Sequence, residues 1–319
     1  MTAPTLPARL GVVPWGRASQ AALPVGSLVA LLAVVLALEP NASTYRGLTL
    51  ILSGSTGLIF AALAQLCLAT LGDIDLGVGA AVGLANVVCA TWLTDNPPLG
   101  VLALLGIVAG YVLLGLVVHA RQVSSIIATL GASFVWLGLG LLLLPIPGGI
   151  APAWLTDLFA LRPVVVPLPV VIAAISAAVA YFVFMRSRFG LIARGSGVSQ
   201  DAIRHSGRPL IVTQLAVYAL AGFCVVLSGL AVTANTTSGD VNASSGYTLL
   251  SIAAVVLGGA SFGGGRIAPV GAVLGAVSLT LVTSLLAFLD VSSDYQVGAQ
   301  GLVLFLVVAV RALSSRRPA

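Results

Sequence analysis

Residues 185–209 read MRSRFGLIARGSGVSQDAIRHSGRP, the one long polar interruption in a chain that is otherwise almost continuous hydrocarbon. Five arginines sit in it (Arg186, Arg188, Arg194, Arg204 and Arg208) against one acid, Asp201. Apolar runs of about 20 residues, the length that crosses a bilayer, come before and after it. A basic segment between two such runs must lie in water, and its arginines place it on the cytoplasmic side. It reads as a docking surface.

Working outward, hydrophobic residues make up 59% of the chain and charged ones 7%, with a mean hydropathy of +1.14. A soluble domain carries roughly 25% charged residues. The expected fold is therefore an all-α polytopic membrane protein. Ten spans are expected, at about 21–38, 48–71, 77–93, 99–118, 124–144, 163–184, 210–234, 247–262, 268–289 and 297–313. With the N-terminus inside, the inner segments hold Arg9, Arg17, Arg121, the five arginines of 185–209, Arg266, Arg311, Arg316 and Arg317. The outer ones hold only Arg46 and Arg162. A re-entrant eighth segment would force the arginine-rich C-terminus outside, so the charge asymmetry favours ten spans with both termini cytoplasmic. This divides the chain into an N-terminal tail at 1–20 without a cleavable signal, a transmembrane domain at 21–313, and a C-terminal tail at 314–319.

Composition leaves little room for chemistry. The chain has no lysine, so the glycine turn Gly258–Arg266 (GGASFGGGR) cannot be a phosphate-binding P-loop. It reads as a close helix–helix contact, with Gly258 and Gly259 as candidate pathway or gate positions. Cys67, Cys89 and Cys224 fall inside apolar runs and read as small buried hydrophobes. No metal ligand set and no catalytic residue is expected. His119 and His205 fall in inner loops, which excludes an intramembrane Ser–His dyad. The net charge of +5 is spread over short loops, which does not suggest nucleic-acid binding.

A second polar feature, Gly72–Gly79 (GDIDLGVG), sits at the inner end of the second span. Asp75 is placed to cap the third span with its carboxylate. Ionisable groups at a membrane boundary are also functional candidates, so Asp73 and Asp75 stand equally as gate or pathway residues. Gln65 and Asn86 are among the few neutral polar groups at mid-span and join them. No carboxylate or arginine reads as mid-bilayer. That absence points to an energy source outside the membrane domain, with 185–209 as its port.

Gly72–Gly79 resembles the GGIDLSVG stretch of the permease subunits of ribose-type ABC sugar importers, within the wider family of branched-chain amino-acid and nucleoside permeases. Ile252–Gly259 (IAAVVLGG) with Ala260–Gly264 (ASFGG) is similar to that family's IAAVVLGG–TSLAGG run. Val291–Gln296 (VSSDYQ) is similar to its VSSYYQ, and Phe189–Gly190 through Arg204 and Ser206–Gly207 to its FGR…AARLSG loop. The resemblance covers about residues 48–313, and the IDL stretch favours the sugar branch.

The resemblance implies a transport subunit of the bacterial cytoplasmic membrane, multi-pass and surrounded by lipid, that performs no chemistry and carries no cofactor. A separate ABC ATPase subunit would bind ATP and Mg, and an extracytoplasmic solute-binding protein would deliver a sugar or sugar-like solute. A second permease subunit, identical or unlike, would complete the pathway. The contact with the ATPase would be a coupling helix within 190–207, with Gly190, Arg194, Gln200, Asp201, Arg204, His205, Ser206 and Gly207 as its contacts. The chain departs from the family at Thr248 and Leu250, where a Glu and an Asp are common, and at Gln200, where an acid is common. These departures imply either a different solute or a heterodimer. The alternatives are an ion-gradient-driven secondary carrier, and a nucleoside or amino-acid ABC permease of the same family.

Overall fold

The computed structural model describes residues 17–291 together with 295, 298, 301 and 302. Its helices are α1 (Arg17–Leu38), α2 (Tyr45–Ser53), α3 (Ser55–Leu71), α4 (Val78–Ala90), α5 (Trp92–Asp95), α6 (Pro97–Arg121) and α7 (Ser125–Leu143). They continue with α8 (Ala153–Phe159), α9 (Leu168–Tyr181), α10 (Arg188–Val198), α11 (Gln200–His205), α12 (Leu210–Thr236), α13 (Tyr247–Leu257) and α14 (Pro269–Phe288). No strand occurs among the described residues; one isolated antiparallel bridge joins Gly148 and Gly239.

Among the described residues, six helical segments are long and apolar enough to cross a membrane, or seven if the pair α2–α3, bent by 42° at Gly54, counts as one span. This is a multi-pass α-helical membrane protein. The short apolar helices within α1 (Pro24–Leu38) and at α13 correspond to the expected first and eighth spans. The expected tenth span, 297–313, lies outside the described residues except for its few described positions. The expected first span starts earlier, since α1 already begins at Arg17. The sixth starts later. Pro163 to Pro167 are not helical, because proline disfavours helix at the residue before it, and α9 begins at Leu168 and ends in a π-helical turn, Phe182–Arg186.

Small residues let the central helices approach backbone to backbone. α12 packs against α3, α4 and α6, and α13 against α14 and α3. A Cβ on Gly258 would collide with the Gly271 backbone, and one on Gly275 with the Ala254 carbonyl, so α13 and α14 touch main chain to main chain. The glycine turn beyond α13 is thus a packing device, as its composition suggested. The buried core runs through Leu66, Leu68, Val82, Val217 and Val225, while Leu102, Ile127, Phe134 and Leu142 face outward. In a bilayer that outward apolar surface is the lipid contact.

The segment 185–209 is not an open loop. Ser187 Oγ accepts from Gly190 N at 2.9 Å and Ser199 Oγ from Ala202 N at 3.3 Å. These side chains satisfy free N–H groups at two helix starts and fold the segment into α10 and α11.

Candidate functional site

α3 ends at Gly72, whose φ of 89° is a left-handed conformation that glycine adopts without a side-chain clash. The chain then runs without regular structure through residues 73–77 before α4 begins. Backbone that is neither helix nor sheet can sit at membrane depth only where protein satisfies its polar groups. Here α3 and α7 do so. Ser125 Oγ accepts from Ile74 N at 3.3 Å, and Thr129 Oγ1 accepts from Leu76 N at 3.0 Å. The Gln65 amide, turned so that its N–H donates, reaches Asp75 O at 3.1 Å and accepts from Asp75 N at 3.2 Å.

The two carboxylates of this segment are pinned separately. Asp75 Oδ1 accepts from Gly77 N at 2.6 Å and Oδ2 from Tyr111 OH at 2.7 Å; its residue is 1% exposed. Asp73 Oδ2 accepts from Tyr218 OH at 2.9 Å and lies 2.9 Å from His119 Nε2. No hydrogen bond forms between them despite that distance. His119 and Tyr218 also meet edge to face at 5.6 Å.

Depth follows from α6. Tyr111 stands ten residues before the helix end at Arg121, about 15 Å along the axis at 1.5 Å per residue. Asp75 therefore sits near mid-length of a spanning helix rather than at a boundary. This overturns two expectations. A carboxylate is buried inside the helix bundle, level with the middle of a spanning helix, and His119 is not in a loop but buried in the last turn of α6. The capping expectation for Asp75 holds in part: its carboxylate accepts from the N–H of Gly77, the residue just before α4.

Beyond the break, α13 braces α4. Gly79 N donates to Thr248 Oγ1 at 3.1 Å, and Ser244 Oγ donates to Gly79 O at 2.8 Å. Thr248, one of the departures from the family pattern, is thus a contact to the α4 backbone. Asn86 holds the other end of α4. Its Nδ2 donates to Thr233 Oγ1 at 2.9 Å and Ser238 O at 3.0 Å, and its Oδ1 accepts from Asp240 N at 2.7 Å. Removing all three bonds in Asn86→Ala is expected to cost about 2–3 kcal/mol, at roughly 1 kcal/mol per bond. Thermal unfolding of the detergent-solubilised protein reads this, and an unchanged midpoint would contradict it.

The break is joined to α10. One face of α10, carrying Gly190, Ala193 and Ser196, is buried. A Cβ on Gly197 would fall within the radius of Thr70 O, two residues before Gly72, and one on Gly264 would strike the Gly197 backbone. Gly265 N donates to the same Thr70 O at 3.0 Å. Arg194 Nε reaches back to Gly190 O at 3.3 Å. α10, the end of α3 and the glycine turn after α13 thus form one backbone-to-backbone stack, directly beneath Asp73.

α11 has two faces. Gln200 and Arg204, one turn apart, line a cleft of 410 Å³ with His119, Arg208, Ile211 and Gln214. Asp201, His205, Ser206 and Gly207 do not line it and are exposed. The His205 ring folds back on its own helix, Nδ1 lying 2.7 Å from Asp201 O. A separate apolar cavity of 360 Å³ between α3, α9 and α12 is lined by Cys67, Ser176, Phe223 and Cys224 among others. All three cysteines are free and buried, and no group of three metal-ligating side chains occurs among the described residues.

Of the sequence candidates, Gln65, Asp73 and Asp75 converge on the break, Asn86 on the far end of α4, and Gly258 on α14. Gly190 and Arg194 belong to α10, Gln200, Asp201, Arg204 and His205 to α11, and Ser206 and Gly207 to the turn that follows it. Tyr111, Tyr218 and Ser125 were missed. A tyrosine in an apolar span is a usable signal, since its buried hydroxyl seeks a partner.

The ribose import permease protein RbsC of Escherichia coli K12 is 33% identical to this chain over 294 residues, covering 89% of this chain and 91% of that protein. The galactose/methyl galactoside import permease protein MglC of Haemophilus influenzae is 27% identical over 310 residues (90% and 92%). The D-allose transport system permease protein AlsC of Escherichia coli K12 is 25% identical over 296 residues (90% and 91%). No solved structure matches the chain. The model of the branched-chain amino acid transport system / permease component family matches residues 22–308, nearly the whole of the chain described above. The chain belongs to that family.

Proposed function

We propose that this protein is the membrane permease subunit of an ATP-driven importer for a sugar or sugar-like solute. The observation that carries this is the 33% identity to a ribose import permease across 89% of the chain. Similarity to galactose and D-allose permeases supports a sugar class without fixing which sugar. The protein crosses the bacterial cytoplasmic membrane ten times with both termini inside, a topology supported by the arginine asymmetry. It carries no catalytic site and binds no cofactor itself. ATP and Mg belong to a separate ATPase subunit, an extracytoplasmic binding protein delivers the solute, and a second permease subunit completes the pathway.

In this reading the ATPase meets the exposed side of α11, at Asp201, His205, Ser206 and Gly207. Movement there passes through α10 and the Gly197–Thr70 contact to the α3–α4 break, where packed elements shift between discrete arrangements. Asp73 and Asp75 hold that break and position it. Cysteines placed at 201 and 205 are expected to cross-link to the ATPase subunit in assembled membranes. A cysteine replacing Leu102, on the lipid-facing side of α6, is expected to give none. Equal cross-linking at all three positions, or none at 201 and 205, would refute the docking face.

The buried carboxylates remove one argument against an ion-driven carrier, since such carriers use intramembrane acids. What still favours ATP is the relationship to import permeases over nearly the full chain.

A further inference from the structure

The cleft between α6, α11 and α12 is unlike the docking face on the other side of α11. Arg204 and Arg208 are exposed beside it, and no carboxylate comes within ion-pairing distance of either among the described residues. Its deeper wall is buried and polar: His119 at 9% and Gln214 at 3% exposure. The remaining lining, Ala120, Leu210 and Ile211, is apolar. Ile211 and its neighbour Val212 are 38% and 60% exposed on the first turn of α12. In a membrane that surface lies against lipid, so the cleft runs from a cationic mouth directly onto an acyl-chain track.

We propose that this cleft binds the headgroup of an anionic phospholipid, with its phosphate between the Arg204 and Arg208 guanidiniums and its chains along the start of α12. Guanidinium is the side chain best matched to phosphate, since its fork of N–H donors fits two phosphate oxygens. Unpaired arginines at a membrane surface attract anionic lipid, and basic pockets between spanning helices take acidic headgroups. An acidic protein side chain would also meet the arginines, but it gains nothing from the apolar track. The consequence is a division of labour on α11: lipid on the Gln200–Arg204 side and the protein partner on the Asp201–His205 side. A bound headgroup would brace α11 against α6 and α12. The half of this division that concerns the ATPase rests on the proposed function; the lipid half does not.

Native mass spectrometry of the purified full chain tests it, with phosphatidylglycerol and phosphatidylcholine of identical acyl chains added in equal amounts. Wild type is expected to retain phosphatidylglycerol preferentially. At about 1 kcal/mol per basic residue near the surface, the double variant Arg204→Gln/Arg208→Gln is expected to lose roughly 30-fold in that preference. Arg204→Lys/Arg208→Lys keeps the charge and should keep most of the preference, which separates electrostatic binding from loss of fold. Arg188→Gln, in α10 and outside the cleft, should change nothing. Equal retention of both lipids by wild type, or an undiminished preference in the glutamine variant, overturns the proposal. Displacement of phosphatidylglycerol by millimolar inorganic phosphate would show a simple anion site and overturn the lipid assignment. If the two lipids bind equally while the glutamine variant fails to hold the ATPase subunit, the cleft belongs to the protein partner and the lipid proposal falls. The cross-linking result at 201 and 205 is independent of all these outcomes.

Discussion

Asp75→Ala is expected to lower the stability of the folded protein by about 3–5 kcal/mol. The variant leaves two buried donors without an acceptor, the Tyr111 hydroxyl and the Gly77 N–H. An unsatisfied buried donor costs about 1–3 kcal/mol, and loss of the carboxylate's other contacts adds to it. Asp75→Asn keeps one carbonyl oxygen and places an amide that can donate to the Tyr111 oxygen, so its loss should be far smaller, about 1 kcal/mol. Tyr111→Phe should fall between them, because it strands Asp75 Oδ2 in a site only 1% exposed. Unfolding of the detergent-solubilised protein by denaturant titration reads the order Ala, Phe, Asn. An alanine variant as stable as wild type that nevertheless cannot transport would make Asp75 a group of the pathway rather than a pin for the break.

Gly197→Val is expected to reduce transport at least tenfold while leaving the subunit inserted and assembled. No rotamer change can relieve the clash, because the atom it meets is the Thr70 carbonyl and not a flexible side chain. α10 must lift away from α3, which also strains the Gly265–Thr70 hydrogen bond. ATP hydrolysis by the partner should persist, so that solute moved per ATP falls. Gly131→Ala is the matched control, since nothing lies within 4 Å of the added carbon. Hydrolysis and transport falling in strict proportion would show lost assembly instead and would separate α10 from the coupling route.

The long apolar runs now seen as α6, α7, α12 and α14 were legible because hydropathy registers about 20 residues of hydrocarbon whatever their neighbours. The burial of Cys67, Cys89 and Cys224 followed in the same way. The depth of Asp75 did not. GDIDLG is polar and helix-breaking, and hydropathy puts such a stretch at an interface. It enters the protein interior only because Tyr111 and Thr129, from helices distant in sequence, and Gln65, ten residues before Asp75 in α3, satisfy its backbone and carboxylate. Pairing of that kind leaves no local periodicity. The helical nature of 185–209 was within reach, since Ser187 and Ser199 each stand three residues before the N–H they cap. From the residues alone the five arginines drew attention to charge, and a coupling helix within 190–207 was expected only through the family resemblance. The division of α11 into a cleft side and an exposed side could not be read from sequence, because it depends on where α6 ends and α12 begins.

Solute flux decides whether ATP or an ion gradient drives this subunit through α10 and α11. Proteoliposomes would hold the permease, its ATPase subunit and the binding protein, loaded outside with ribose as the first solute and galactose and D-allose as alternatives. The account predicts uptake that requires ATP on the α11 side and survives collapse of proton and sodium gradients by ionophores. Uptake by the permease alone, driven by an imposed gradient and indifferent to ATP, would contradict it.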